Sequence, residues 1–95
     1  MPLTVQAGRN KFYIGEDEIS PQAEITYTFV DEKTIDVTHT FVDPSLRGSG
    51  VAKQLFNAVI EKAQNEQLQI IPSCSYVRVQ FERDASLQHL LKTSL

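Results

Sequence analysis

The chain has 95 residues, 41% hydrophobic and 22% charged, with a net charge of −3. That length allows one domain, folding removes roughly 65% of its surface from water, and the apolar content is too high for a disordered tail. The acidic balance argues against a protein that coats nucleic acid, and the single cysteine excludes an internal disulfide. The opening Met1-Pro2-Leu3-Thr4-Val5-Gln6 has no basic region followed by an apolar stretch. No apolar run approaches the ~18 residues of a membrane span. The expectation is one cytoplasmic domain over residues 1–95, with neither nucleic acid nor membrane as partner.

In chain order, Lys11-Phe12-Tyr13-Ile14 is a short β-rich run ended by Gly15 and the acidic turn Glu16-Asp17-Glu18. Ala23, Ile25, Tyr27 and Phe29 alternate with Glu24, Thr26 and Thr28, the period of a half-buried strand. After the polar Asp31-Glu32-Lys33, Ile35, Val37, His39 and Phe41 alternate with Asp36, Thr38 and Thr40. The tight link predicts an antiparallel hairpin, and the three runs a meander.

Beyond Asp43-Pro44 the period changes. Ala52, Leu55, Phe56, Val59, Ile60 and Ala63 form a helical stripe, predicted to start near Ser49 as N-cap and to fray around Asn65-Glu66-Gln67. Leu68-Gln69-Ile70-Ile71-Pro72 reads as a short strand whose proline limits its pairing. Ser75 to Arg83 fits helix or strand, and Leu87, Leu90 and Leu91 suggest a final helical turn. An antiparallel meander followed by α-β-α predicts an α+β domain, the long helix packed on one face of the sheet.

The most informative stretch is Asp43-Pro44-Ser45-Leu46-Arg47-Gly48-Ser49-Gly50-Val51-Ala52, where a strand turns through two glycines into a helix. The first turn of a helix has backbone N–H groups without partners and a positive dipole end. A phosphate satisfies both, and Arg47 adds a permanent cation. A Walker loop is excluded because its Lys-Ser/Thr pair is missing. A dinucleotide fingerprint lacks its third glycine and its βαβ setting. A phosphate-bearing ligand and a plain glycine turn with a serine cap both remain.

Arg47-Gly48-Ser49-Gly50-Val51-Ala52 resembles the Arg/Gln-x-x-Gly-x-Gly/Ala motif of the GNAT superfamily of acyl-CoA-dependent N-acetyltransferases. With His39-Thr40-Phe41-Val42 and Pro72-Ser73-Cys74-Ser75-Tyr76-Val77, it resembles a group of very short, single-domain GNAT-like proteins. The likeness spans roughly Asn10 to Leu91. It implies a minimal GNAT-like fold, acetyl-CoA or coenzyme A as cofactor, and acetyl transfer to an unidentified primary amine, a small amine or a lysine side chain.

The resemblance also implies roles. The amides of Gly48, Ser49, Gly50, Val51 and Ala52 would hold the coenzyme's pyrophosphate, with Arg47 beside it. The main chain of Phe41 and Val42 would pair with the pantetheine arm where two strands splay. Pro72, having no N–H, suits that splay. The thioester would lie near Cys74, with Ser75 and Tyr76 lining its site.

The tyrosine that serves larger relatives as proton donor corresponds best to Phe81, which has no hydroxyl. Cys74 then leads as catalytic group, as acid for the coenzyme thiolate or transient acyl acceptor; its other reading is packing. His39 is a second catalytic candidate, set against a core histidine hydrogen-bonded on the apolar face. Glu24 is a weaker base, on a face usually solvated. No cluster has metal-ligand spacing, so no metal is expected. Asp84-Ala85-Ser86-Leu87 replaces the His/Asn-Pro-Glu-aromatic stretch of such relatives. The alternatives are a non-catalytic coenzyme-binding or interaction module and an unrelated α+β protein with a chance glycine turn. Assembly is expected to be a monomer or weak homodimer, in which a second copy could close the acceptor site.

Overall fold

The computed structural model describes residues 4–92. The expectation of no leader rests partly on residues 1–3, which lie outside the described residues. The elements are strands β1 (Gln6–Gly8), β2 (Lys11–Ile14), β3 (Ala23–Asp31) and β4 (Thr34–Val42), helix α1 (Val51–Glu66), strand β5 (Gln69–Ile71) and helix α2 (Ser75–Arg83). Short 3-10 helices cover Pro44–Leu46 and Ala85–Leu90. The sheet order is β1-β2-β3-β4-β5, antiparallel until β5 joins β4 in parallel. A parallel neighbour requires a crossover, and α1 supplies it.

The predicted meander holds, with one strand more. β1 pairs Gln6 with Tyr13 and Gly8 with Lys11, across a turn in which Asn10 takes φ 58. Three residues without apolar alternation give no periodic signal, so β1 was not foreseen. The β3–β4 turn is closed by the Asp31 carboxylate, which accepts from the Lys33 amide at 2.8 Å.

One face of the sheet carries the core. Ile25 and Tyr27 of β3, Ile35 and Val37 of β4 and Ile70 of β5 are buried against Val51, Leu55, Phe56, Val59, Ile60 and Ala63 of α1. Val51 takes the place in the stripe expected for Ala52, which is only half-buried. The ambiguous segment 75–83 is a helix. Val77 and Phe81, at i and i+4, are buried while Val79 is 38% exposed, so the strand-like alternation misleads. Phe81 and Tyr76 both meet Phe56 edge-on, at 5.6 and 6.5 Å between ring centroids, so α2 packs beside α1.

A β-bulge reverses the alternation of β4. Thr26 opposes His39 and Tyr27 opposes Val37, leaving Thr38 as the extra residue. Beyond it, Thr40 opposes Ile25 and Val42 opposes Ala23, both on the core face. His39 and Phe41 therefore turn to the opposite face, where both are exposed. The expected placing of His39 with Ile35 and Val37 is corrected. An unbroken alternation cannot reveal an inserted residue.

Candidate active site

The site is built where β4 and β5 part. Their pairing runs from Thr34–Gln69 to Asp36–Ile71 and stops. Pro72 has no N–H to extend it, and the chain leaves the sheet. The Cys74 amide then returns to the Val37 carbonyl at 2.9 Å, closing the narrow end of the gap. Cys74 is half-buried at the N-cap of α2, its Sγ 3.3 Å from Thr40 Oγ1. Only the bulge brings Thr40 there, so this partner of Cys74 carried no signal in the sequence. Phe41, 38% exposed, and half-buried Val42 follow along the β4 edge.

The other end of β4 leads into the glycine turn. Asp43 caps the 3-10 helix, its Oδ1 accepting from the Ser45 amide at 2.9 Å and hydroxyl at 2.8 Å. These bonds, the amide's foremost, hold the Asp43 carboxyl below its usual range, with Arg47 a small further cause.

Ser49 is not the cap of α1. Its hydroxyl and amide both bond the Leu46 carbonyl, so the Ser49 N–H is not free for a ligand. The N-cap is Gly50, at φ 85 and without a side-chain cap bond, and no acidic residue lies in the first turn of α1. Gly48 also has φ 85, a conformation costly for residues with a Cβ. A Cβ at either glycine would meet nothing within 4 Å, so the space over the turn is open. Among the described residues, the amides of Gly48, Gly50, Val51 and Ala52 have no backbone partner. Arg47 is exposed beside them and makes no ion pair among the described residues.

Of the other residues singled out, Ser75 is exposed on the first turn of α2. Tyr76 is half-buried; burial first, then the neighbouring Cys74, push its phenol above the usual 10.0 against an opposing effect of Arg83. Phe81 is buried in the core against Phe56 and does not face the gap. His39 lies on the outer face of the sheet, away from Thr40 and Cys74. Glu24 shares that face and is tied to Lys11 at 2.9 Å.

A strand that parts from its parallel neighbour and runs into an uncapped, glycine-lined helix start is an arrangement for an extended ligand ending in phosphate. Residues 11–90 match the family described as GCN5-related N-acetyl-transferase. The chain belongs to the GCN5-related N-acetyltransferase family.

Family relatives include Protein NATD1 of Xenopus tropicalis, 29% identical over 82 residues (86% of this chain, 75% of that protein). Human Protein NATD1 is 27% identical over 91 residues, 94% of this chain and 80% of that protein. Among solved structures, a GCN5-like protein from Staphylococcus aureus has a TM-score of 0.79 and 44% identity, over 98% of this chain and 91% of that one. A GNAT family acetyltransferase from Elizabethkingia anophelis with acetyl-CoA bound has a TM-score of 0.54 at 17% identity, covering 77% of this chain and 50% of that one. At that identity the likeness concerns the fold, which is the GNAT fold expected from the motif.

Proposed function

We propose that this chain binds acetyl-CoA and transfers its acetyl group to a primary amine, acting in the cytoplasm as a monomer or weak homodimer. One observation carries the reading: the open, uncapped glycine turn of α1 and the Cys74–Thr40 pair lie at the two ends of one unpaired β4 edge. Family membership and the acetyl-CoA-bound fold neighbour support it.

The residues fit the coenzyme. The free amides of Gly48, Gly50, Val51 and Ala52, with Arg47, would hold its pyrophosphate. The main chain of Phe41 and Val42 would take the pantetheine arm as an added strand. Ser75 and Tyr76 would line the acyl end. When bound, acetyl-CoA supplies a thioester whose C–S bond breaks as the acceptor's C–N bond forms. Cys74 gives its proton to the departing thiolate, and the proton shed by the amine restores it. Thr40 orients the Cys74 thiol. His39, on the outer face and away from Cys74, takes no part in this proton transfer.

The second reading, a coenzyme-binding module without turnover, is favoured by Phe81, which is buried and has no hydroxyl. The two separate experimentally. Acetyl-CoA at millimolar concentration should raise the melting temperature, and Gly50→Glu should abolish the rise by placing charge against the phosphates. No rise in the wild type sinks both readings. Cys74→Ala should keep the rise and lose turnover of an acceptor found among small amines, polyamines and lysine peptides. Unchanged turnover makes Cys74 a packing residue.

A further inference from the structure

The two edges of the sheet are finished differently. At β5 the edge is covered: Leu91 forms a bridge to Ile70, and the Lys92 amide donates to the Ile70 carbonyl at 2.9 Å. At β1 no strand among the described residues lies beyond. The carbonyls of Asn10 and Ile14 accept from the amides of Tyr27 and Gln22 on the β3 side, at 3.0 and 2.8 Å. Lys11 and Tyr13 therefore turn their backbone toward β1, where they pair with Gly8 and Gln6. Alternation leaves the Ala7 N–H and C=O pointing outward, and Val5, just before the strand, has no backbone partner among the described residues. Edge strands are commonly blunted by charge, proline or a bulge, and Gln6-Ala7-Gly8 carries none of these.

A groove runs along the same border. It encloses about 510 Å³ between β1 and α1, and Val5, Ala7, Phe12 and Ala58 give it an apolar floor. That volume lies within the range of binding sites. Glu61 stands on the helix rim, exposed and without an ion pair among the described residues, whereas Glu66 is taken by Lys62 at 2.8 Å. Ala7 opposes Phe12, and Phe12 opposes buried Ile25, so the Ala7 side chain is on the α1 side of the sheet. One short stretch thus offers free backbone groups outward and a groove beside them. Strand addition needs both: the main chain of a ligand pairs with the edge, and its alternate side chains enter the groove.

We infer that β1 takes an extended segment of another protein as a sixth strand, with a large apolar side chain in the groove and a basic residue two positions away beside Glu61. Two nearer occupants fit less well. β1 of a second copy brings only Val5 and Ala7 to the groove side, too small to fill it. The far end of the described chain is held at the β5 edge by Lys92, four strands away. Three residues of pairing do not hold a partner unaided, so the apolar side chain supplies most of the binding. An exposed ion pair adds little affinity, and Glu61 acts in selecting the sequence.

The test uses the full chain and the blocked peptide Thr-Lys-Thr-Phe-Thr-Lys-Thr, whose Lys, Phe and Lys share one face of a strand. Amide NMR should show shifts at Ala7, Ala58 and Glu61. At peptide tenfold above its Kd, hydrogen exchange of the Ala7 amide should slow by about tenfold. Replacing the peptide's Phe by Gly should weaken binding at least about tenfold. Replacing both Lys by Glu should weaken it about threefold at low salt, a difference that Glu61→Gln reduces. Coenzyme binds at the opposite edge, and its melting-temperature rise should be unchanged by the peptide.

Ala7→Pro removes the outward N–H without touching a bond between β1 and β2. It should keep the melting temperature and the rise with coenzyme, and weaken the peptide at least about tenfold. Ala58→Lys fills the groove from the helix side, and should cause the same loss with the edge intact. Shifts at Ala58 and Glu61 without slowed exchange at Ala7 overturn strand addition. So do undiminished binding by Ala7→Pro or by the Gly-substituted peptide, and the absence of shifts at millimolar peptide. An Ala7 amide already protected in the free protein overturns it as well. Protection that grows with protein concentration assigns the edge to a second copy, and constant protection assigns it to the chain itself.

Discussion

Phe81 and Tyr76 show how burial assigns chemistry to aromatic residues on one short helix. Phe81 is sealed against Phe56, whereas Tyr76 keeps part of its ring at the surface beside Cys74. Restoring a hydroxyl by Phe81→Tyr should therefore not raise turnover. It should lower stability by about 1–3 kcal/mol, the cost of an unpaired hydroxyl in a core, measured by urea unfolding. A gain in activity would show that the side chain reaches the gap after all. The Tyr76 phenol is raised, chiefly by burial, so the folded chain holds that proton more tightly than the unfolded one. Its contribution to stability is complete below the unfolded pKa near 10 and is lost as pH rises through the folded value. Ultraviolet titration of the wild type against Tyr76→Phe should assign it a phenol ionising above 10.0; ionisation at or below that value contradicts the burial argument.

At the scale of elements, the long periodic segments were legible and the irregular ones were not. The α1 stripe and the β3–β4 hairpin could be read because their side chains repeat with the period of the backbone that carries them. Helix α2 was ambiguous because Val77, Val79 and Phe81 also fit a strand, and only packing on Phe56 chooses between them. The Thr38 bulge has the largest consequence, since it turns Thr40 toward Cys74 and His39 away from it. Deleting Thr38 should restore a regular ladder, with His39 still opposite Thr26 and Thr40 still on the core face, but without the local bend by which the bulge helps β4 part from β5. The expected result is a folded but destabilised protein with no melting-temperature rise on adding acetyl-CoA. A deletion variant that binds the coenzyme as the wild type does would show that the bulge is dispensable for the site.

For the whole molecule, both helices cover one face of a five-stranded sheet and leave the other largely open. The glycine turn and Cys74 address the gap, while Asp36, Thr28 and His39 belong to the outer face. Lys53 of α1 spans the two helices, donating to Gln80 Oε1 at 3.0 Å and lying 5.2 Å from the centre of the Phe56 ring. Lys53→Ala should loosen α2 and the Cys74 it presents. The expected loss is roughly 0.5–1.5 kcal/mol of stability, with faster hydrogen exchange in α2 than in α1. Equal protection of the two helices would count against this tie.

The sequence by itself determined the α+β class, the long helix, the hairpin, the glycine turn and the family, because periodicity and local turn chemistry are written in neighbouring residues. Only the tertiary structure decided that Gly50, rather than Ser49, caps α1, that Thr40 meets Cys74, and that His39 faces outward. It also showed that Phe81 is core. These depend on the register between strands and on burial, which are properties of segments far apart in the chain. A single inserted residue in β4 was enough to exchange its two faces.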